Sequence, residues 1–299
     1  MFMEKNADKK SLIEFIIAMA IFGTVGIFRR FIPLDSGLIA MTRGLAGAAF
    51  IFIFLKVKGR PFSFSHMSKK TAIIILINGA VIGFNWITLF ESYNYTSIAT
   101  ATLCYYMQPI FLIPISPILF KERMSGPKLL CVLVAVVGMV FVSGVLGVGV
   151  SAGDLKGIIY GLISGFLYAV VVSISKFVSE ADSYEKTALQ LLGAGVAVIP
   201  YLIIKGVFSD PAALIVSLTP LAIIMLLIVC IVHTGITYMM YFGALQNLKI
   251  QQISILGYID PVVAIILSQV ILNESMGWNG VIGAILILGS AFVSEIVLK

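Results

Sequence analysis

A tyrosine, a carboxylate and a proline stand within four residues at Tyr258, Asp260 and Pro261, inside a long apolar run. A second run holds Tyr105, Tyr106, Gln108 and Pro109. A polar side chain facing hydrocarbon at mid-membrane costs about 2–3 kcal/mol, so these groups are expected to face a hollow. Proline removes a backbone donor and frees a carbonyl one turn earlier. Each run should therefore bend, with Gln108 or Asp260 one residue before the proline. The plainer alternative is that Pro109 and Pro261 only shape their helices and that Gln108 is a packing contact. The chemistry on offer is recognition. Glu91 lies near a span end beside Tyr93, Asn94 and Tyr95, and one reading joins it to the aromatic residues Trp86, Tyr105, Tyr106, Tyr238, Tyr241 and Tyr258. An acid among aromatic faces attracts an amine or a quaternary ammonium. Against this, Glu91 can reach water from its place near a span end, and aromatic residues near span ends can form an interfacial belt.

Other polar groups also fall at central positions. Asn78, Asn85, Thr88 and Ser92 make a stripe at steps of seven, three and four, which must face other helices or water. Arg43 is the costliest of these groups and needs a carboxylate or carbonyls. Asp260 is nearest in depth, so a structural Arg43–Asp260 pair competes with a ligand site. His233 titrates near neutrality and could relay protons with Asp260, or it could simply pack through a hydrogen bond. Metal chemistry is not expected. Only two histidines exist, with His66 in a loop, and Cys104, Cys131 and Cys230 lack metal-site or disulfide spacing. No nucleotide-binding motif is present.

The elements that position these groups follow from composition. Of 299 residues, 60% are hydrophobic and 11% charged, and mean hydropathy is +1.09, against roughly 25% charged in soluble domains. Apolar runs of about 20 residues recur, each able to cross roughly 30 Å of hydrocarbon. Ten spans result, near 12–30, 36–55, 71–92, 97–119, 127–146, 155–176, 187–205, 219–243, 251–272 and 278–298. No cleavage site precedes Arg29–Arg30, so the first run reads as a span, not a signal peptide. With a cytoplasmic N-terminus, 15 Lys and Arg residues fall inside and 4 outside, with Arg43 within a span, which accounts for all 20. Both termini are therefore expected in the cytoplasm.

The chain also repeats itself. Tyr106, Pro109, Ser116, Glu122 and Met124 recur as Tyr258, Pro261, Ser268, Glu274 and Met276, each offset by 258 − 106 = 152. Arg29, Asp35 and Ser36 recur as Lys176, Asp182 and Ser183, offset by 182 − 35 = 147. Residues 1–150 and 151–299 thus read as two copies of a five-helix unit. Five is odd, so the copies face opposite ways, an arrangement suited to alternating access. Glu122 and Glu274 end their spans on opposite sides and are expected to stabilise the following turns. Gly157, Gly161 and Gly165 form a ridge for close helix packing, within the monomer or, alternatively, at a dimer interface.

Two five-helix repeats, each with a central proline in its fourth helix and a closing glutamate, resemble the drug/metabolite transporter superfamily, in particular its EamA-type members. The segments that carry the likeness are "YYMQPIFLIPISPILFKERM", "YIDPVVAIILSQVILNESM" and "FESYNYTSIATATL". The resemblance implies an all-α integral membrane protein of ten helices with cytoplasmic termini and a cavity between the halves. No catalytic constellation is present, so no enzyme and no cofactor are expected. The resemblance also implies export of amino acids, metabolites or toxic compounds in many members and uptake or exchange in others. The expectation for this chain is a small polar or zwitterionic metabolite as partner, exported across the plasma membrane, with no nucleic acid. A facilitator or exchanger for cationic or nucleobase-like compounds is the second expectation, and an intramembrane enzyme the third. Glu91 and the Arg29–Arg30 pair depart from the family pattern and favour a charged or zwitterionic substrate.

Overall fold

A computed structural model of the chain describes residues 2–60, 67–120, 125–143, 152–175, 177–178, 182–245, 247–248 and 250–297. Glu122, His66 and the expected boundary between the halves at 150/151 lie outside the described residues. The first half comprises α1 (Phe2–Arg30), α2 (Ser36–Val57), α3 (Lys69–Tyr95), α4 (Ile98–Tyr105), α5 (Gln108–Phe120) and α6 (Gly126–Val142). The second comprises α7 (Ala152–Ser175), α8 (Ser183–Ile204), a short α9 (Pro211–Ser217), α10 (Pro220–Cys230), a π-helical turn (Ile231–Ile236) and α11 (Thr237–Leu245). It closes with α12 (Ile250–Gly257), α13 (Ile259–Leu272), α14 (Trp278–Phe292) and a π turn at Val293–Val297. Eight helical stretches among the described residues are long and apolar enough to cross a bilayer. Gly126–Val142 and Trp278–Phe292 are shorter apolar helices. Together they make the expected all-α, ten-helix membrane architecture of two inverted five-helix repeats. Large apolar side chains such as Ile204, Val270 and Trp278 lie on the outer surface, as lipid requires.

The inversion is visible in backbone detail. Asp35 caps α2 with φ −55° and ψ 137° and accepts from the Gly37 N–H, while Asp182 caps α8 with φ −54° and ψ 137° and accepts from the Tyr184 and Glu185 N–H groups. Such a cap is worth about 1 kcal/mol. The second oxygen of each carboxylate reaches the other half. Asp35 meets Lys205, just past the end of α8, at 2.6 Å, and Asp182 meets Arg60, just past α2, at 3.7 Å. The start of each helix thus sits beside the end of the other, as two units turned end over end must. Burial alone would pull the Lys205 ammonium down; its hydrogen bonds to Asp35 and Tyr201 outweigh that and hold it above the ordinary lysine range.

The fourth helix of each half is broken, where a bend alone was expected. Tyr106 (φ −73°, ψ 5°) ends α4 and Tyr258 (φ −76°, ψ −5°) precedes α13. Pro109 and Pro261 then fall in the first turn of the next segment, where a missing N–H costs no helical bond. The π turn in the eighth span and the long start of α1 also differ from the sequence expectation. The turn is matched by Thr234 and Thr237, whose hydroxyls donate to the carbonyls of Val229 and Val232, five residues earlier, at 3.0 and 2.7 Å.

Close packing holds the halves together. At Gly44 a Cβ would lie 2.5 Å from the Gly195 backbone nitrogen and 2.8 Å from its Cα, so α2 and α8 touch main chain to main chain. The Gly157–Gly161–Gly165 ridge of α7 meets Thr96, Cys104 and the Tyr105 carbonyl within the protein. Gly44→Ala must push backbone from backbone, which costs about 1–3 kcal/mol. Its melting temperature in detergent should drop by several degrees. Gly289→Ala, where a Cβ meets nothing within 4 Å, should melt like the parent. Equal melting of both variants would overturn the contact.

Candidate functional site

The two helix breaks meet at mid-depth around a cavity of about 450 Å³, within the usual range for small-molecule sites. Its wall brings together Arg43 from α2, Asn85 and Trp86 from α3, and Tyr105, Tyr106 and Gln108 around the first break. Tyr258 and Asp260 come from the second break and Tyr238 from α11. Pro109 lines it too, whereas Pro261 is buried behind it. Tyr106 reaches across to the Gly257 carbonyl at 3.4 Å, so the breaks touch.

The aromatic groups form a connected surface. Tyr105 packs edge-on against Tyr106 and against Tyr168 of α7, each at 5.5 Å between centroids. Phe22 packs edge-on against Tyr238 at 5.3 Å. Tyr168, Tyr93 and Phe22 were not among the sequence candidates. Tyr168 carried a readable signal, a phenol near the centre of a largely apolar span just past the glycine ridge.

Arg43 is only 4% exposed. Its Nε donates to Thr234 Oγ1 at 2.7 Å, and its guanidinium carbon lies 4.2 Å from the centroid of the Trp86 ring. Thr234 belongs to the π turn, which therefore fixes the cation. The Arg43–Asp260 pair considered from sequence does not form; among the described residues no ion pair engages either group. Arg43 and Asp260 stand on one cavity wall, and the Asp260 carboxyl accepts a hydrogen bond from the Tyr106 hydroxyl. The buried Oε1 of Gln108, the repeat counterpart of Asp260, has no hydrogen-bond partner among the described residues.

Other candidates have different surroundings. Asn85 lines the cavity, but its amide donates to the Ser164 carbonyl and hydroxyl at 2.6 and 2.9 Å. Asn78 and Ser92 likewise bond to Ser175 and the Gly157 carbonyl, so most of the polar stripe of α3 clasps α7. Thr88 bonds to its own helix. His233 lies off the wall, 1% exposed, with Nε2 2.7 Å from Thr24 Oγ1 and the Phe28 ring at 4.8 Å. Glu91 is also off the wall and takes a 3.4 Å contact from the Asn94 amide. Arg29 is buried and tied to the Ile32 and Leu34 carbonyls, Ser36 and Asn94. No group of three potential metal ligands occurs among the described residues.

The EamA-like transporter family profile matches the chain twice, over residues 9–144 and 155–295. An "Uncharacterized transporter YxxF" of Bacillus subtilis (strain 168) is 29% identical over 262 residues, covering 87% of this chain and 81% of the relative. An "Uncharacterized transporter" of Archaeoglobus fulgidus is 25% identical over 282 residues, covering 93% and 94%. A solved structure described as "Crystal structure of protein" superposes with a TM-score of 0.64 at 16% identity, covering 96% of this chain and 98% of that one. That likeness shows the fold alone.

If Thr234 holds Arg43, Thr234→Val leaves a buried guanidinium N–H unpaired, at about 1–3 kcal/mol. The variant should melt several degrees below the parent, and Thr234→Ser, which keeps the hydroxyl, should recover most of the loss. Parent-like melting of Thr234→Val would show that Arg43 has another sufficient partner.

Proposed function

The chain belongs to the EamA-like transporter family, and from that premise we propose that it is a secondary transporter which moves a small zwitterionic organic molecule by alternating access. One observation carries the substrate class: Arg43 and Asp260 share a cavity wall and no ion pair joins them. Buried charges need partners, and a ligand with one anionic and one cationic group satisfies both. The carboxylate of an amino-acid-like molecule would face Arg43 and its ammonium would face Asp260. Gln108 Oε1 offers a further acceptor for an N–H or O–H. The tyrosines would cover the body of the ligand, with cation–π attraction adding to the pull on its ammonium. An amine without a carboxylate is the second reading. It satisfies Asp260 and the aromatic surface but leaves Arg43 without a counter-charge.

Export from the cytoplasm through the plasma membrane is the direction we favour, with the chain working as a monomer. The distribution of Lys and Arg supports cytoplasmic termini. The cavity wall runs along α1 through Phe15, Met19 and Phe22, on the N-terminal side of the breaks. Their repeat counterparts in α7, offset by 147, are Leu162, Phe166 and Ala169, and these do not line it. That asymmetry supports loading from the side that bears the termini. Asp260 is the candidate for proton coupling nearest the ligand. His233 and Glu91 would have to act from behind the wall.

A panel of amino acids, matched amines and matched carboxylates, tested by thermal shift on the purified protein, checks the reading. Zwitterions should stabilise most. Asp260→Asn and Arg43→Gln should each weaken binding by about 2 kcal/mol or more, roughly thirtyfold. Amines that bind the Arg43→Gln variant as well as the parent would favour the second reading. Flux into liposomes with and without a pH gradient tests coupling, and equal flux would remove Asp260, His233 and Glu91 from any proton role.

A further inference from the structure

Glu274 does more than finish its own turn. Its Oε2 accepts from the Ser268 hydroxyl at 2.5 Å, within that turn, and from the Ile98 N–H at 2.8 Å. Its Oε1 pairs with Arg30 Nη2 at 2.5 Å, and the same Arg30 nitrogen donates to the Thr96 carbonyl at 3.3 Å. Ile98 opens α4, Arg30 closes α1 and Glu274 follows α13. All three ends lie on the membrane face away from the N-terminus. The three helices also wall the cavity, through Phe22, Tyr105 and Asp260. One carboxylate, its side chain only 18% exposed, therefore draws three walls of the cavity together at one face. It also joins the halves, since α1 and α4 belong to the first and α13 to the second.

The bonding pattern is that of a closure that can release. The Ile98 N–H is one of the free donors at a helix start, and water could satisfy it as well as Glu274 does. Arg30 retains 34% of its side-chain exposure, so it too can return to solvent. Separating these ends exposes these polar groups to water and also uncovers Ile98, which is buried against Gly26 of α1. Deeper in the protein α1 and α13 touch main chain at Gly23, where a Cβ would lie 2.6 Å from the Asp260 carbonyl, so the release is confined to the helix ends.

We propose that Glu274 is the latch of the mouth on the face away from the N-terminus. Its bonds to Arg30 and to the start of α4 hold that mouth shut in the state seen here and break when the cavity opens to that face. The proposal rests on the alternating-access reading above.

The test measures conformation and needs neither substrate nor flux. Spin labels at Phe31→Cys and Asn279→Cys report the separation of α1 from the start of α14 on that face. Both sites are exposed, and the native Cys104, Cys131 and Cys230 are buried. In lipid nanodiscs, Glu274→Ala should shift the distance distribution to longer values. Arg30→Gln should shift it in the same direction. Glu274→Gln, which keeps an acceptor for Ile98 but loses the ion pair, should fall between parent and Glu274→Ala. An unchanged distribution in folded Arg30→Gln and Glu274→Gln would overturn the latch, even with a lowered melting temperature, because that result marks a purely structural tie. A wrong substrate class would leave these distances as predicted, so the two readings fail separately.

Discussion

Inside hydrocarbon no water is at hand to satisfy a backbone group that has lost its helical partner. The breaks at Tyr106 and Tyr258 are tolerable only because they face each other across a polar hollow. Each puts a tyrosine at the end of one segment and a polar side chain, Gln108 or Asp260, in the first turn of the next. The cavity, the tyrosine surface around it and the polar groups Gln108 and Asp260 on its wall all follow from placing broken helices side by side.

Much of this was written in side-chain types. A fixed offset of 152 residues tied Tyr106 and Pro109 to Tyr258 and Pro261, and the backbone angles at the two tyrosines agree within about ten degrees. Asp35 and Asp182, paired by an offset of 147, cap equivalent helices. The stripe on α3 read as a face that must meet something, and Asn78, Asn85 and Ser92 meet α7. These features depend on local chemistry repeated along the chain, so one sequence displays them.

What escaped the sequence depends on contacts between distant segments. The π turn leaves no composition signature; it is visible only through Thr234, which holds Arg43 from 191 positions away. Depth alone made Asp260 the natural partner for Arg43, because depth carries no information on azimuth around a helix. Glu274 was legible as the end of a span, and its turn contact with Ser268 fits that reading. Its bonds to Ile98 and Arg30, across 176 and 244 positions, could not be read from local pattern. The same holds for His233, whose partner Thr24 lies 209 positions away.

Two kinds of contact divide the labour between rigidity and movement. Where α2 meets α8, glycine brings backbone onto backbone, and dispersion between so many close atoms fades within about an ångström of separation. Such a surface holds or fails as a whole. At the membrane face away from the N-terminus the ties are polar: Glu274 with Arg30 and Ile98, and Asp35 with Lys205. A polar tie at a wet surface exchanges its partner for water with little net change, so it sets a population without locking a shape. A duplicated, inverted unit needs both properties. On the proposed alternating-access reading, the contact at Gly44 would persist in either state, while the ties at the mouths would differ between states. The apolar surfaces beside Gly44 and the carboxylates at the helix ends are distributed accordingly.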